Sequence, residues 1–123
     1  MKLEEGEIVP ASTLYDRAEA LERLDGDVEL FGTLAEMFVT ESDSYCKALT
    51  TALADADVPA LRREAHTVKS MLATFSFGAG CELAMQLEHL AAAGRLDGAE
   101  ALTASLVEAV QLLAGQLAAD LAC

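Results

Sequence analysis

The chain has no tryptophan, two prolines (Pro10 and Pro59) and only 5% aromatic residues. Leucine and alanine dominate instead, and such side chains lose little rotamer freedom in a helix, so the composition predicts helix over strand. Basic residues are also scarce. Eight Lys and Arg stand against 21 Asp and Glu, a formal net charge of −13. Nucleic-acid binding needs a basic patch, so that partner class is excluded, and an anionic membrane surface is disfavoured for the same reason. The three cysteines, Cys46, Cys81 and Cys123, are odd in number and have no metal-ligand spacing. They suit a reducing compartment better than a disulfide framework: Cys46 and Cys81 read as small apolar fillers, Cys123 as an exposed C-terminal residue. The opening MKLEEGEIVP lacks a signal-length apolar run, and no stretch reaches the roughly 20 apolar residues of a membrane span. The expected location is the cytoplasm. A phosphate-cradling G-x-x-x-x-G-K-[ST] loop is missing, as is a strand-rich segment to carry one. The chain is therefore not expected to use ATP by itself.

What remains is a 123-residue chain that is 53% apolar, the size of one domain with a substantial core. Residues 1–11 read as a loose acidic arm and residues 12–123 as the domain. Ser12 or Thr13 is placed to cap a short helix reaching about Leu24, with Leu14, Ala18 and Leu21 inward. Asp25-Gly26-Asp27 makes a turn, and Asp27 caps a long amphipathic helix from Val28 to about Ala56. Its inner face carries Phe31, Leu34, Phe38, Tyr45, Leu49, Ala52 and Leu53, widened by Leu30 and Met37. Asp57 restarts the chain before Pro59, and a helix runs to about Phe75. A break at Ser76–Gly80 precedes a helix from about Ala79 to Ala93, packing through Leu83, Leu87 and Leu90, with Gly94 as its stop. The last helix spans Ala99–Ala122, with Leu102, Leu106, Val110, Leu113, Leu117 and Leu121 inward. Short loops make neighbouring helices antiparallel. The predicted fold is all-α: an antiparallel four-helix bundle with a short additional N-terminal helix.

One of the two histidines, His66, stands in the segment RREAHTVKSMLATFSFGAGCELAMQLE, Arg62 to Glu88. Leu61, Ala65, Val68, Leu72 and Phe75 recur at three- and four-residue steps and mark the buried face of a helix. Arg62, His66, Lys69, Ser70 and Ala73 fall on a neighbouring stripe. Of the eight basic residues, Arg62, Arg63 and Lys69 gather around this histidine against the acidic background, a local setting for an anion. A neutral, exposed imidazole held in one tautomer is a nucleophile suited to near-neutral pH. His89, the other histidine, adjoins Glu88 and reads as a surface residue. No H-x-x-x-H or C-x-x-C pattern supports a metal site.

These residues resemble the histidine-containing phosphotransfer (HPt) family. AHTVKS, ATFSFGA and LAMQLE carry the likeness, and TFSF is similar to the phosphoacceptor domain of chemotaxis-type histidine kinases. The likeness covers roughly Asp16 to Gly94, including LERLDGDVELF at the entry to the first long helix, and less distinctly the C-terminal helix. The resemblance implies that His66 accepts a phosphoryl group, that Lys69 offsets its charge and that Glu88 orients the ring. It implies a receiver domain as partner, with a histidine kinase or hybrid kinase as phosphoryl source. No cofactor is implied on this chain, the Mg²⁺ belonging to the receiver. Arg62, Ser70 and Ala73 are then candidate partner contacts. Ser70 and Ser76 stand where the family usually has glycine. Two other expectations compete: a helical adaptor without phosphotransfer, or a phosphoacceptor module excised from a larger kinase. Met1 and the finished helical set point to a free-standing protein.

Overall fold

The computed structural model describes residues 15–122, and every regular element in that range is helical. The elements are α1 (Arg17–Arg23), α2 (Val28–Ala54), α3 (Val58–Thr74), α4 (Gly78–Ala92) and α5 (Ala99–Ala122). Asp27 and Asp57 cap α2 and α3 as expected, their side chains accepting from the amides of Leu30 and Ala60, with Pro59 in the first turn of α3. Each cap satisfies a helix-start amide that has no partner within the helix. The cap of α1 is Asp16, which accepts from the Glu19 amide. Ser12, Thr13 and Leu14, assigned above to that helix, lie outside the described residues, as do the 1–11 arm and Cys123.

One closing device ends each of the first four helices. The amides of Gly26, Asp57, Phe77 and Arg95 return to the carbonyls of Leu21, Ala52, Leu72 and Leu90, five residues back. This six-to-one bond requires a left-handed residue just before the closing amide. Gly94 provides it at φ 74°, but Asp25, Ala56 and Ser76 adopt φ of 58°, 53° and 54° although they carry side chains.

Helices α2 to α5 pack as sequential neighbours, and α5 closes the ring onto α2. This is the predicted four-helix bundle. Its centre holds Phe38, Leu49, Leu61, Leu72, Phe75, Leu87, Leu106, Leu113 and Leu117, all fully buried. The Phe75 ring meets Phe31 and Phe38 edge-on, with centroids 5.8 and 5.5 Å away. The predicted buried face of α3 is buried throughout. Leu30 and Met37 are exposed rather than part of the core. Each precedes a buried phenylalanine by one residue, and that 100° rotation carries it to the solvent edge. Leu121, in the last turn of α5, is also exposed, while Ala99, Thr103, Ala109 and Ala114 are buried. On α1 the buried residue is Ala20, and Ala18 faces solvent.

By length and composition alone α5 is apolar enough to cross a membrane, contrary to the expectation above. In the fold its leucine stripe packs against α2 and α4.

The short α1 is pinned over the α3–α4 turn. The Asp16 amide donates to Ser76 O at 3.2 Å and Arg23 Nη1 to Ala73 O at 3.1 Å. The buried Tyr15 hydroxyl donates to Asp120 on α5, and burial together with that carboxylate pushes the phenol well above its ordinary range.

Candidate functional site

The helical periodicity that buries Leu61, Ala65, Val68 and Leu72 puts His66 on the outer surface of α3, its side chain 60% exposed. Glu88 arrives from α4. Its neighbour Leu87 is fully buried, which holds the backbone of Glu88 close to the α3–α4 seam. Its carboxylate spans two partners. Oε2 lies 2.8 Å from His66 Nδ1 and Oε1 lies 2.6 Å from Lys69 Nζ. Glu88 is the least exposed of the three, at 15% against 32% for Lys69.

The protonation pattern follows from this geometry. The Lys69 hydrogen bond, above all, holds the Glu88 carboxyl below the usual glutamate range; partial burial opposes it, and the His66 bond adds to the lowering. Glu88 is thus an anion at neutral pH and offers only acceptors. The ring atom facing it must donate, so neutral His66 carries its proton on Nδ1 and presents a free lone pair at Nε2. A nucleophilic nitrogen is exposed and the tautomer is set by one carboxylate.

The other predicted residues divide. Arg62 borders an open recess of about 340 Å³ with Pro59, Arg63, His66, Thr67 and Glu88. Ser70 is exposed one turn beyond the ring, and Ala73 is half-buried with its carbonyl bound to Arg23. Lys69, which the resemblance implied would offset phosphoryl charge, pairs with Glu88. His89 lies elsewhere, in a depression with Gln86, Leu90, Ala93, Arg95 and Leu102. Among the described residues no three His, Cys, Asp or Glu side chains gather as a metal site. Cys46 is buried; Cys81 is half-buried and its thiol points at the Lys69 carbonyl, 3.7 Å away.

Sequence reasoning missed Arg23, which α1 delivers to the C-terminal end of α3. Fifty residues separate it from Ala73, and no local periodicity links the two. Thr67 was also missed, for it is an ordinary exposed residue until the recess beside His66 is seen.

The Hpt domain family model matches residues 33–120, a span that contains His66, Lys69 and Glu88. It begins later than the Asp16 limit drawn from the sequence and takes in most of α5. The fold superposes on histidine-containing phosphotransfer protein B (HptB) from Pseudomonas aeruginosa PAO1 with a TM-score of 0.79, covering 87% of this chain and 93% of that one at 21% identity. No curated protein sequence matches the chain. A bundle of this shape, with a family match over most of its length, leads to one assignment: the chain belongs to the Hpt domain family, the histidine phosphotransfer modules of two-component phosphorelays.

Proposed function

We propose that His66 is the phosphoacceptor, that Glu88 fixes its tautomer, and that Lys69 holds Glu88 charged while offsetting phosphoryl charge. The observation carrying this reading is the single carboxylate shared between His66 Nδ1 and Lys69 Nζ. In the forward step the Nε2 lone pair attacks the phosphorus of an aspartyl phosphate. The N–P bond forms as the P–O bond to the aspartate breaks, and the carboxylate leaves with the bonding pair. The Nδ1 proton stays on the ring against Glu88. The imidazolium character that develops on the ring is thus stabilised by a charge already in place, with little reorganisation. The reverse step returns neutral imidazole and passes the group to another aspartate.

Receiver domains and histidine kinases are the partners of this family. For this chain we assign the docking face to Arg62, Ser70 and Ala73 around the exposed ring. The receiver supplies the aspartate and Mg²⁺, so the chain acts as a carrier and needs no nucleotide or cofactor of its own. A cytoplasmic location fits such a carrier. The test is incubation with phosphorylated receiver domains. An acid-labile, base-stable label on the wild-type chain, absent from His66→Gln, is expected. Failure to label with any of a panel of receivers would favour the helical adaptor.

A further inference from the structure

With His66 as the acceptor, on which this inference rests, we propose that Arg62 is a phosphoryl-binding residue. Its guanidinium meets the oxygens of the group on Nε2, while Lys69 remains with Glu88.

The cations near the ring differ in what already occupies them. Lys69 Nζ is 2.6 Å from Glu88 Oε1. Arg63 Nε lies 3.9 Å from the carboxylate of Glu64. Arg62, one turn before His66, is exposed and has no ion pair or hydrogen bond from its side chain among the described residues. Residues at this spacing lie about 5–6 Å apart at Cβ, within reach of an arginine. The recess beside the ring is walled by Arg62 and Arg63 but not by Lys69. A phosphoryl group on Nε2 adds a near-dianion to this ring, on the edge away from the Nδ1 that meets Glu88.

If Lys69 alone answered that charge, Glu88 would lose its chief counter-charge. Arg62 can turn to the phosphoryl oxygens without breaking any ion pair or hydrogen bond among the described residues. Its planar fork matches two of those oxygens, which a lysine ammonium cannot do. The division of labour is therefore Lys69 in contact with the carboxylate, its charge reaching the phosphoryl group at longer range, and Arg62 in direct contact with the phosphoryl oxygens.

A ³¹P NMR titration of the phosphorylated chain, with no partner present, separates this role from receiver docking. Wild type, Arg62→Ala, Arg62→Lys and Lys69→Ala are loaded with phosphoramidate or, where that does not load, from a phosphorylated receiver. Arg62→Ala is expected to raise the midpoint of the second phosphoryl ionisation by about half a unit or more, because a neighbouring cation is lost. Arg62→Lys should restore part of the shift, and Lys69→Ala should move the midpoint less than Arg62→Ala. An unchanged midpoint in Arg62→Ala, or a larger change in Lys69→Ala, overturns the role of Arg62 while a His66 label leaves the acceptor assignment standing. Absence of a His66 label in wild type from either donor overturns the acceptor assignment itself.

Discussion

Glu88 and Lys69 form the shortest ion pair around His66, 2.6 Å between Oε1 and Nζ, and the other oxygen of the same carboxylate takes the imidazole. On the proposed reading the lysine acts on the histidine through the glutamate: it lowers the carboxyl further below its ordinary range, and the carboxylate holds the ring proton on Nδ1.

Glu88→Gln preserves an acceptor oxygen and removes the charge; Glu88→Ala removes both. Hydrogen bonds to charged groups contribute about 1.5–3 kcal/mol, so the alanine variant should lose about tenfold to a hundredfold in transfer rate, with glutamine between. Rapid-quench transfer assays measure the rate. Side-chain ¹⁵N shifts of His66 should show the Nδ1–H tautomer losing its dominance in the alanine variant.

Lys69→Ala should change how stability depends on pH. The Glu88 carboxyl is lowered from its ordinary value of 4.5, so its contribution is fully present above that value and is lost as pH falls through the lowered native one. Without Lys69 the native value returns towards 4.5, and the acid slope attributable to Glu88 flattens. Urea denaturation from about pH 2 to pH 6 measures this. Equal slopes in the two proteins would detach Lys69 from Glu88.

Ser76 closes α3 at φ 54°, and its hydroxyl oxygen is buried without a hydrogen-bond partner among the described residues. The left-handed conformation costs a non-glycine residue roughly 1–2 kcal/mol, partly offset by the greater freedom of an unfolded glycine. Ser76→Gly should stabilise the protein by about 0.5–1 kcal/mol, read as a higher urea midpoint with an unchanged m-value. Phosphotransfer should not change.

Thr103 is 1% exposed in α5, and its hydroxyl also lacks a partner among the described residues. Thr103→Val keeps the shape and removes an unsatisfied oxygen, with an expected gain of about 1 kcal/mol in the same assay. A loss of stability would mean that the hydroxyl is satisfied.

The fold of the His66 segment was largely legible because its information is local. The period of Leu61, Ala65, Val68 and Leu72 fixes which face is buried, and that in turn fixes where His66 points. Asp27 and Asp57 likewise act on amides three residues away. The helical resemblance brought Glu88 to the ring, but not the claim of Lys69 on the same carboxylate, since two side-chain contacts compete for one group only in three dimensions. Leu30 and Met37 were misplaced because composition widens an apolar stripe beyond what two neighbouring helices can cover. Arg23 on Ala73 depends on how α1 lies over the α3–α4 turn, which no pattern in α1 specifies.

The central claim is that the phosphoryl group sits on His66 Nε2 while Nδ1 keeps its proton against Glu88. Long-range ¹H–¹⁵N correlation spectra of the phosphorylated chain, with both histidine rings assigned, address it directly. The account predicts a ³¹P-coupled Nε2 on His66, a protonated Nδ1, and an unmodified His89. Phosphorus coupling at Nδ1 of His66, or at either nitrogen of His89, would contradict it.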